Sequence, residues 1–339
     1  SKVFGEFKAL DNVSIKVKEG TVHALLGENG AGKTTLMNCL YGLYHPDGGR
    51  ILLHGEPVRI NSPLQAVDLG IGMIHQHFML VDTLTVTENI ILGMKGLGMT
   101  MNLPKHEKRI REISEEFGFE VDPSFEIWRL PMGMRQRVEI LKALYRDAKV
   151  LILDEPTSVL APKEIDALME ALERLKKAGK TILFITHKLE EVFKAADTIT
   201  VLRHGRVTAE TAVKGTTPRE VAGMMVGRDV VFDFKKPDVP IGGPVLEVNN
   251  LCAFNDRGLQ ALHDISLTVH AGEVYGIAGV DGNGQQELAE VLTGLRKPSA
   301  GQVRMDGEDI THAPVADRHL NKGMSFVPED RQTMGLAMD

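Results

Sequence analysis

The residues G-E-N-G-A-G-K-T-T at positions 27–35 decide the fold of this chain. They fit the pattern G-x-x-x-x-G-K-[ST], follow a short apolar run and open a predicted helix, which is the context that a phosphate-binding loop requires. Glycines let backbone N–H groups close around phosphate oxygens, and the helix N-terminus adds partial positive charge. Lys33 is predicted to reach the outer phosphates and the Thr34 hydroxyl to bind Mg²⁺. The positions assigned to nucleotide binding are Gly27, Asn29, Gly30, Ala31, Gly32, Lys33, Thr34 and Thr35.

A second motif, V-L-I-L-D-E-P-T-S at 150–158, ends an apolar run on two carboxylates. Asp154 suits the Mg²⁺ shell, and Glu155 suits the base that polarises an attacking water. A third run, I-L-F-I-T at 182–186, ends at His187, which we expect to contact the γ-phosphate. Either motif alone is weak, but downstream of the loop at 27–35 both predict catalytic residues.

Hydrophobic periodicity places these motifs in an α/β fold. Short apolar runs at 22–26, 150–153 and 181–186 predict buried parallel strands. An amphipathic helix ended by Gly179 is marked by Ile165, Leu168, Met169, Leu172 and Leu175. Strands that alternate with helices are typical of α/β domains. Residues from about 94 to 148 contain no such strand, and we expect them to form an inserted helical subdomain.

The chain also repeats itself. The stretch V-S-I-K-V-K-E-G-T-V-H-A-L-L-G-E-N-G-A-G from Val13 returns as I-S-L-T-V-H-A-G-E-V-Y-G-I-A-G-V-D-G-N-G from Ile265. We predict a first domain at 1–227, a linker at 228–244 and the N-terminal part of a second domain at 245–339. The strand-like V-L-E-V-N-N-L at 245–251 has no counterpart in the first copy, which suggests a piece of a longer tandem protein. Proline, glycine and charge make 228–244 a linker, with a β-extension of one lobe as the alternative.

In this order the motifs resemble the ATP-binding cassette of ABC transporters, over essentially the whole chain. The resemblance implies a P-loop NTPase fold with a RecA-like parallel core, an antiparallel β-subdomain and a helical subdomain, followed by a partial second cassette. It implies ATP and Mg²⁺ as cofactors. By the same resemblance, Phe4 stacks on adenine, and Gln76 senses Mg²⁺, acts in catalysis and faces a permease. The resemblance also implies a signature loop that caps the ATP of an opposite cassette, formed by Leu130, Pro131, Met132, Gly133 and Met134.

Two departures from the family pattern agree with each other. The signature usually reads L-S-G-G-Q, but Pro131 replaces its serine, Met132 a glycine and Met134 the glutamine. In the second copy Gln285 and Gln286 replace the lysine and threonine of a loop that keeps Gly279, Gly282 and Gly284. In a head-to-tail pair of cassettes these defects share one composite site. We therefore expect one hydrolytic site and one largely structural site.

The tandem arrangement with G-N-G-Q at 282–285 and V-P-E-D-R-Q at 327–332 resembles importers of simple sugars and nucleosides. R-V-E-I-L-K-A-L-Y-R at 137–146, M-V-G-R-D-V at 225–230 and D-R-G-L-Q-A-L at 256–262 favour the nucleoside branch, with simple sugars and other cargo left open. The resemblance implies an ATPase coupled to transport, which pairs its cassettes intramolecularly at the cytoplasmic face of a bacterial membrane. Its partners would be two transmembrane permease subunits and an extracytoplasmic substrate-binding lipoprotein of the basic-membrane-protein type.

Composition limits the alternatives. Net charge is −7, which argues against a nucleic-acid partner, and no stretch reaches the roughly 20 apolar residues that a membrane span needs. A soluble tandem cassette protein that acts on ribosomes would usually carry two intact sites and a long charged linker. The other alternative is a fragment that binds nucleotide without turnover, because the second signature is absent from the sequence.

Overall fold

A computed structural model describes residues 1–76, 78–94, 102–158, 160–227, 239–256, 258–280, 282–328 and 335. The chain divides into two compact units, Ser1–Phe232 and Asp233–Asp339. Most of the predicted linker, 228–238, lies outside the described residues. At its end, Gly242 N–H donates to Ala271 O and Ala271 N–H donates to Gly243 O, both at 2.9 Å. The last linker residues therefore pair with the second unit, as in the alternative of a β-extension.

The first unit alternates strands and helices. Its strands are β1 (Lys2–Phe4), β2 (Phe7–Leu10), β3 (Val22–Leu26), β4 (Ile51–Leu53), β5 (Glu56–Val58), β6 (Ile71–Ile74), β7 (Val150–Asp154), β8 (Thr181–Ile185), β9 (Thr198–Arg203) and β10 (Arg206–Ala212). Its helices are α1 (Lys33–Leu40), α2 (Pro63–Asp68), α3 (Val86–Ile91), α4 (Leu103–Phe117), α5 (Met132–Tyr145), α6 (Pro162–Lys177), α7 (Leu189–Ala195) and α8 (Pro218–Val226). A short 3₁₀ turn spans Ile127–Arg129.

A six-stranded sheet in the order β10-β9-β3-β8-β7-β6 forms the centre of this unit. Five of its strands are parallel, and only the edge strand β10 runs antiparallel. All five residues of β3 and of β8 are buried, because helices cover both faces of a parallel sheet. The strands predicted at 22–26, 150–153 and 181–186 are confirmed, and their carboxyl ends meet at one edge.

The helices begin and end where local chemistry dictates. Thr85 and Thr217 start α3 and α8 with capping boxes, in which the threonine hydroxyl and a glutamate three residues later satisfy free backbone N–H groups. Gly118 ends α4 with a φ of 66°. The predicted amphipathic helix is α6, which ends at Lys177 just before Gly179. Between 102 and 148 the structure has helices and no strand, as predicted for the inserted subdomain.

The second unit contains β11 (Pro244–Phe254), β12 (Gln260–His270), β13 (Ala300–Met305), β14 (Glu308–Asp309), α9 (Gln285–Thr293) and α10 (Val315–Leu320). Its sheet has the order β12-β11-β13-β14 and is entirely antiparallel. The run at 274–278, which repeats β3, forms no strand, and Val274 is 86% exposed. In the first unit β3 is buried between β8 and β9, and the described part of the second unit contains no parallel strands to flank this run.

Candidate nucleotide-binding site

The loop at 27–32 joins β3 to α1 in a shape that only glycine tolerates. Gly32 has a φ of 102°, and a Cβ there would lie 2.7 Å from Ala9 O. A Cβ on Gly27 would lie 2.3 Å from Leu202 O. Such contacts with backbone atoms leave no room for a side chain, so the loop is held closely against β2 and β9. Within it Ala31 is buried, whereas Asn29 and Gly30 are exposed at the tip.

Lys33 begins α1 and turns back into the loop. Its side chain is 6% exposed, and Nζ donates to Gly27 O at 2.8 Å and to Glu28 O at 3.0 Å. Burial lowers the pKa of this ammonium, and the nearby carboxylates of Glu155 and Asp154 oppose that effect. The lysine charge therefore lies between the loop carbonyls and the acidic end of β7, as a phosphate-binding lysine requires.

Asp154 and Thr34 meet at the end of β7. Asp154 is 6% exposed, and burial, followed by the charge of Glu155, raises its pKa. Lys33 and a hydrogen bond with the Thr34 side chain act in the opposite direction. A buried carboxylate beside a hydroxyl suits a hard cation such as Mg²⁺, which takes oxygen ligands. Among the described residues no three of His, Cys, Asp and Glu form a metal cluster, so the remaining oxygens would come from phosphate and water.

Glu155 and His187 form a pair at the same edge. His187 Nδ1 lies 3.1 Å from Glu155 Oε1, and Glu155 N–H donates to Ile185 O at 3.0 Å. Glu155 has a φ of 45°, a left-handed conformation that is uncommon for residues other than glycine and clusters at functional sites. The structure thus joins two of the three predicted catalytic residues by direct contact.

The third predicted catalytic residue, Gln76, lies just beyond the end of β6, beside β7 in the sheet. Its side chain is exposed. Thr35 lies in the first turn of α1, half-buried. Phe4 lies at the turn of the β1–β2 hairpin, 44% exposed, with its ring in edge contact with Tyr44 at 5.3 Å. The ring therefore has accessible surface for a planar ligand.

The signature loop leads into α5. Leu130 is buried, and Pro131 is the N-cap of α5 without a side-chain hydrogen bond to the helix. Gly133 N–H donates to Glu164 Oε1 at 3.1 Å, whereas Met132 is largely exposed and Met134 is half-buried. In the first turn of α5, Met132 is therefore the side chain most available to a partner surface.

The second loop keeps the shape of the first and changes its chemistry. Gly282 and Gly284 have φ values of 81° and 96°, and a Cβ on Gly284 would lie 2.8 Å from Ala261 O. Gln285 begins α9, and its Nε2 donates to Val280 O at 3.3 Å. The Gln286 side chain instead donates to Glu290 Oε1 on its own helix, at 2.8 Å. Gly279 is exposed. A neutral amide therefore occupies the place of the Lys33 ammonium.

Sequence reasoning missed a polar contact that supports the His187 loop. Glu191 on α7 is buried and accepts a hydrogen bond from Thr186 Oγ1 at 2.9 Å. Lys188 Nζ lies 3.3 Å from Glu191 Oε1 and donates to Thr157 O at 3.2 Å. These contacts tie the end of β8 to the segment after Glu155. Lys188 and Glu191, one and four positions after His187, were the sequence signal that could have predicted this contact.

A groove also runs beside Gln76, between the sheet and the helical region. It is lined by residues that include Tyr41, His75, Met79, Leu92, Glu139 and Arg146. No described helix has the length and apolarity required to cross a bilayer. His75 and Met79, which lie one residue before and three residues after Gln76, both line the groove.

Known proteins resemble this chain in sequence and in structure. The sequence profile of the family described as ABC transporter matches residues 10–158 and 262–337. The glucose import ATP-binding protein TsgD13 of Haloferax volcanii is 47% identical, with 100% of this chain and 66% of that protein covered. The nucleoside import ATP-binding protein NupA of Lactococcus lactis subsp. cremoris is 46% identical, with 100% and 67% covered. The guanosine import ATP-binding protein NupO of Bacillus subtilis is 47% identical, with 100% and 66% covered.

The chain therefore spans about two thirds of the length of these curated relatives. Solved structures are similar to about two thirds of this chain. The ADP conformation of an ATP-binding cassette of an ABC transporter is 28% identical with a TM-score of 0.58, covering 67% of this chain and 96% of that one. A nucleotide-free cassette is 30% identical with a TM-score of 0.57, covering 66% and 92%.

Proposed function

The chain belongs to the ABC transporter family of ATP-binding cassettes, and we propose on this premise that it binds and hydrolyses ATP to power import of nucleosides or simple sugars. The observation that carries the proposal is the convergence of a buried ammonium, a buried carboxylate and the Glu155–His187 pair at one sheet edge. A glycine-rich loop alone would support binding only. The carboxylates of Asp154 and Glu155 add the groups that hydrolysis needs.

Each residue has a separate role in this proposal. Backbone N–H groups of 27–32 and the Lys33 ammonium hold the phosphate chain, while Phe4 offers its ring to the base. Thr34 and Asp154, with Gln76, would hold Mg²⁺, whose charge neutralises phosphate oxygens when it is bound.

Glu155 is the base that orients and deprotonates the attacking water. His187, whose Nδ1 lies 3.1 Å from Glu155 Oε1, would contact the terminal phosphate through Nε2. The third group, Gln76, follows β6 next to β7, and it would report phosphate and metal occupancy to the groove that His75 and Met79 help to line.

The two sites of the tandem protein are unequal in this proposal. The first loop, with Lys33, is the hydrolytic one, and its partner signature would come from the second cassette. The second loop carries Gln285 in place of the lysine, and it would face the signature that contains Pro131. A lost charge-assisted hydrogen bond typically weakens binding by about 1.5–3 kcal/mol, so that site would be largely structural.

We propose that the groove beside Gln76 binds one of two transmembrane permease subunits at the cytoplasmic face of the membrane, with an extracytoplasmic lipoprotein delivering the cargo. Relatives named for glucose import and for nucleoside import are equally similar to this chain, at 47% and 46% identity. We favour nucleosides because of the phrases at 137–146, 225–230 and 256–262.

Substituting Glu155 by glutamine tests the proposal. The full gene product and its permeases are placed in membrane vesicles, and ATP turnover and uptake of radiolabelled guanosine, uridine and ribose are measured. Glu155→Gln should abolish turnover and uptake while MgATP still binds, because the amide keeps the shape and loses the base. Glu115→Gln, on the exposed face of α4, is the matched control. Undiminished ATP turnover in the Glu155→Gln protein would refute the proposal.

A further inference from the structure

Four charged residues occupy one face of α5. Arg135, Glu139, Lys142 and Arg146 follow one another at intervals of four, three and four residues, which places them in a row along the helix and its C-cap. We call this row the charged face of α5. Apolar residues on another face of the helix, such as Val138, join the core.

Every member of the charged face binds the segment 79–92, which follows Gln76. Arg135 Nη1 donates to Asp82 Oδ1 at 2.9 Å. Glu139 Oε1 accepts from Met79 N–H at 2.7 Å, and Lys142 Nζ donates to Met79 O at 3.1 Å. Arg146 Nη2 donates to Leu92 O at 2.6 Å. Three of the four side chains thus hold main-chain atoms, so they fix the path of the segment whatever its side chains are.

Burial of the Glu139 charge is costly, which argues that its placement matters. Glu139 is 5% exposed, and burial raises the pKa of its carboxyl, against the effects of Lys142, the Met79 N–H and Arg146. Within the described part of the chain, Arg146 Nε is buried without a hydrogen-bond partner. Apolar side chains of similar volume often stabilise such a helix face as well or better. Packing alone therefore does not account for this arrangement.

The charged face connects the two functional loops of the first unit. Arg135 also donates from Nε to Leu130 O at 3.0 Å, in the signature loop. Two positions beyond Met79, Val81 is fixed in turn by Asn89, whose side chain accepts from Val81 N–H at 2.7 Å and donates to Val81 O at 3.0 Å. Side chains of α5 therefore bond both to Leu130 in the signature loop and to the main chain three residues after Gln76.

We propose that Arg135, Glu139, Lys142 and Arg146 are positioning residues that make the signature loop and the Gln76 loop move as one body. This rests on the proposed function, because the signature loop senses the opposite ATP only in a cassette pair. Nucleotide bound at that loop shifts α5, and the charged face transfers the shift to Met79 and to the groove, where Glu139, Lys142 and Arg146 form part of the wall. ATP occupancy and permease contact are linked through this face.

The test measures ATP hydrolysis by the full gene product with and without its permeases, and reports the ratio of the two rates. Glu139→Leu/Lys142→Met removes both contacts to Met79 at nearly constant volume. Glu139→Gln keeps an oxygen that can accept from Met79 N–H. The matched control is Glu115→Leu/Lys108→Met, which makes the same changes on the exposed face of α4. The dissociation constant of MgATP is measured for each protein.

We expect the double variant to lose most of the permease stimulation, so that its rates with and without permeases become nearly equal. Its MgATP affinity should change by about twofold or less. Glu139→Gln should restore most of the ratio, which a purely structural defect would not predict. A parental ratio in the double variant overturns the inference. Should that variant fail to fold, the single variant Lys142→Met replaces it, since Lys142 is only half-buried. A parental ratio in Lys142→Met would also overturn the inference. Failure of the proposed function has a different signature: hydrolysis would survive Glu155→Gln.

Discussion

Replacing Lys33 by alanine should weaken MgATP binding by an amount that follows from the contacts of its ammonium. In the structure Nζ already donates to Gly27 O at 2.8 Å and to Glu28 O at 3.0 Å. Binding a phosphate exchanges these neutral acceptors for charged ones, so the net gain is about one charge-assisted hydrogen bond, or about 1.5–3 kcal/mol. Its loss corresponds to a dissociation constant about 10- to 150-fold higher.

Two further effects determine whether the substitution weakens the binding of MgATP more than that of metal-free ATP. Lys33 lowers the pKa of Asp154, so its removal raises that pKa further and weakens the carboxylate as a Mg²⁺ ligand at a given pH. The lost bonds to loop carbonyls partly compensate, because the nucleotide no longer has to displace them. The effect should therefore be larger for MgATP than for ATP in the presence of EDTA.

Titration calorimetry on the 339-residue chain measures both dissociation constants. Gln285→Ala is the matched control, because Gln285 begins α9 as Lys33 begins α1 and its amide reaches the equivalent carbonyl. It should change MgATP affinity by about twofold or less. Lys33→Met keeps the buried stem and should resemble Lys33→Ala. If both Lys33 variants bind MgATP as tightly as the parent, the assignment of this loop to the triphosphate is wrong.

Three other predictions concern stability. The pKa of Asp154 is raised mainly by burial, so ionisation above 3.8 costs folding free energy; Asp154→Asn should raise the melting temperature of the nucleotide-free chain and abolish its further rise with MgATP, and calorimetric scans showing a lower melting temperature would contradict this. His23 is 1% exposed with its ring nitrogens 2.8 Å from the hydroxyls of Thr198 and Thr200, and burial lowers its pKa. The unfolded chain then takes up the proton first as pH falls below 6.5, so the free energy of unfolding decreases there; urea titrations of His23→Gln should show a flatter pH dependence, and an identical one would disprove the account. Gly32→Ala should lower the free energy of unfolding by about 1–3 kcal/mol. The loss should exceed that of Gly30→Ala, because a Cβ on Gly30 meets no atom within 4 Å. Equal losses in denaturant titrations would exclude the clash with Ala9 O.

The core of the fold could be predicted because its signals are local. The runs at 22–26, 150–153 and 181–186 are continuous and apolar, and they became central strands β3, β7 and β8. Once parallel strands are given, the polar residues that follow them share one edge, and the Glu155–His187 contact follows from topology. The equivalent apolar run at 274–278 forms no strand, because a strand also needs neighbours, and periodicity does not supply them.

The charged face of α5 was missed for a different reason. Charged residues at helical spacing are usually solvated, and nothing in the pattern says that the segment 79–92 lies against them. Pro131 illustrates the same limit. Sequence shows that the serine is replaced, and the structure adds that Pro131 is an N-cap that makes no side-chain hydrogen bond to its helix. Long-range partners are set by tertiary packing, which sequence spacing does not encode.

The two glycine-rich loops separate shape from chemistry. In both loops a glycine is the N-cap of the following helix. A Cβ added to that glycine would lie less than 3 Å from a carbonyl oxygen of the neighbouring hairpin, Ala9 O in the first loop and Ala261 O in the second. Close packing therefore accounts for the shape of both, with or without a phosphate. The first loop alone adds a buried ammonium facing Asp154 and Glu155, and the buried ionised carboxylate of Asp154 is costly in the absence of ligand. A protein keeps such a cost where a ligand relieves it, and this difference between the loops is why we propose the first loop, and not the second, as the site of hydrolysis.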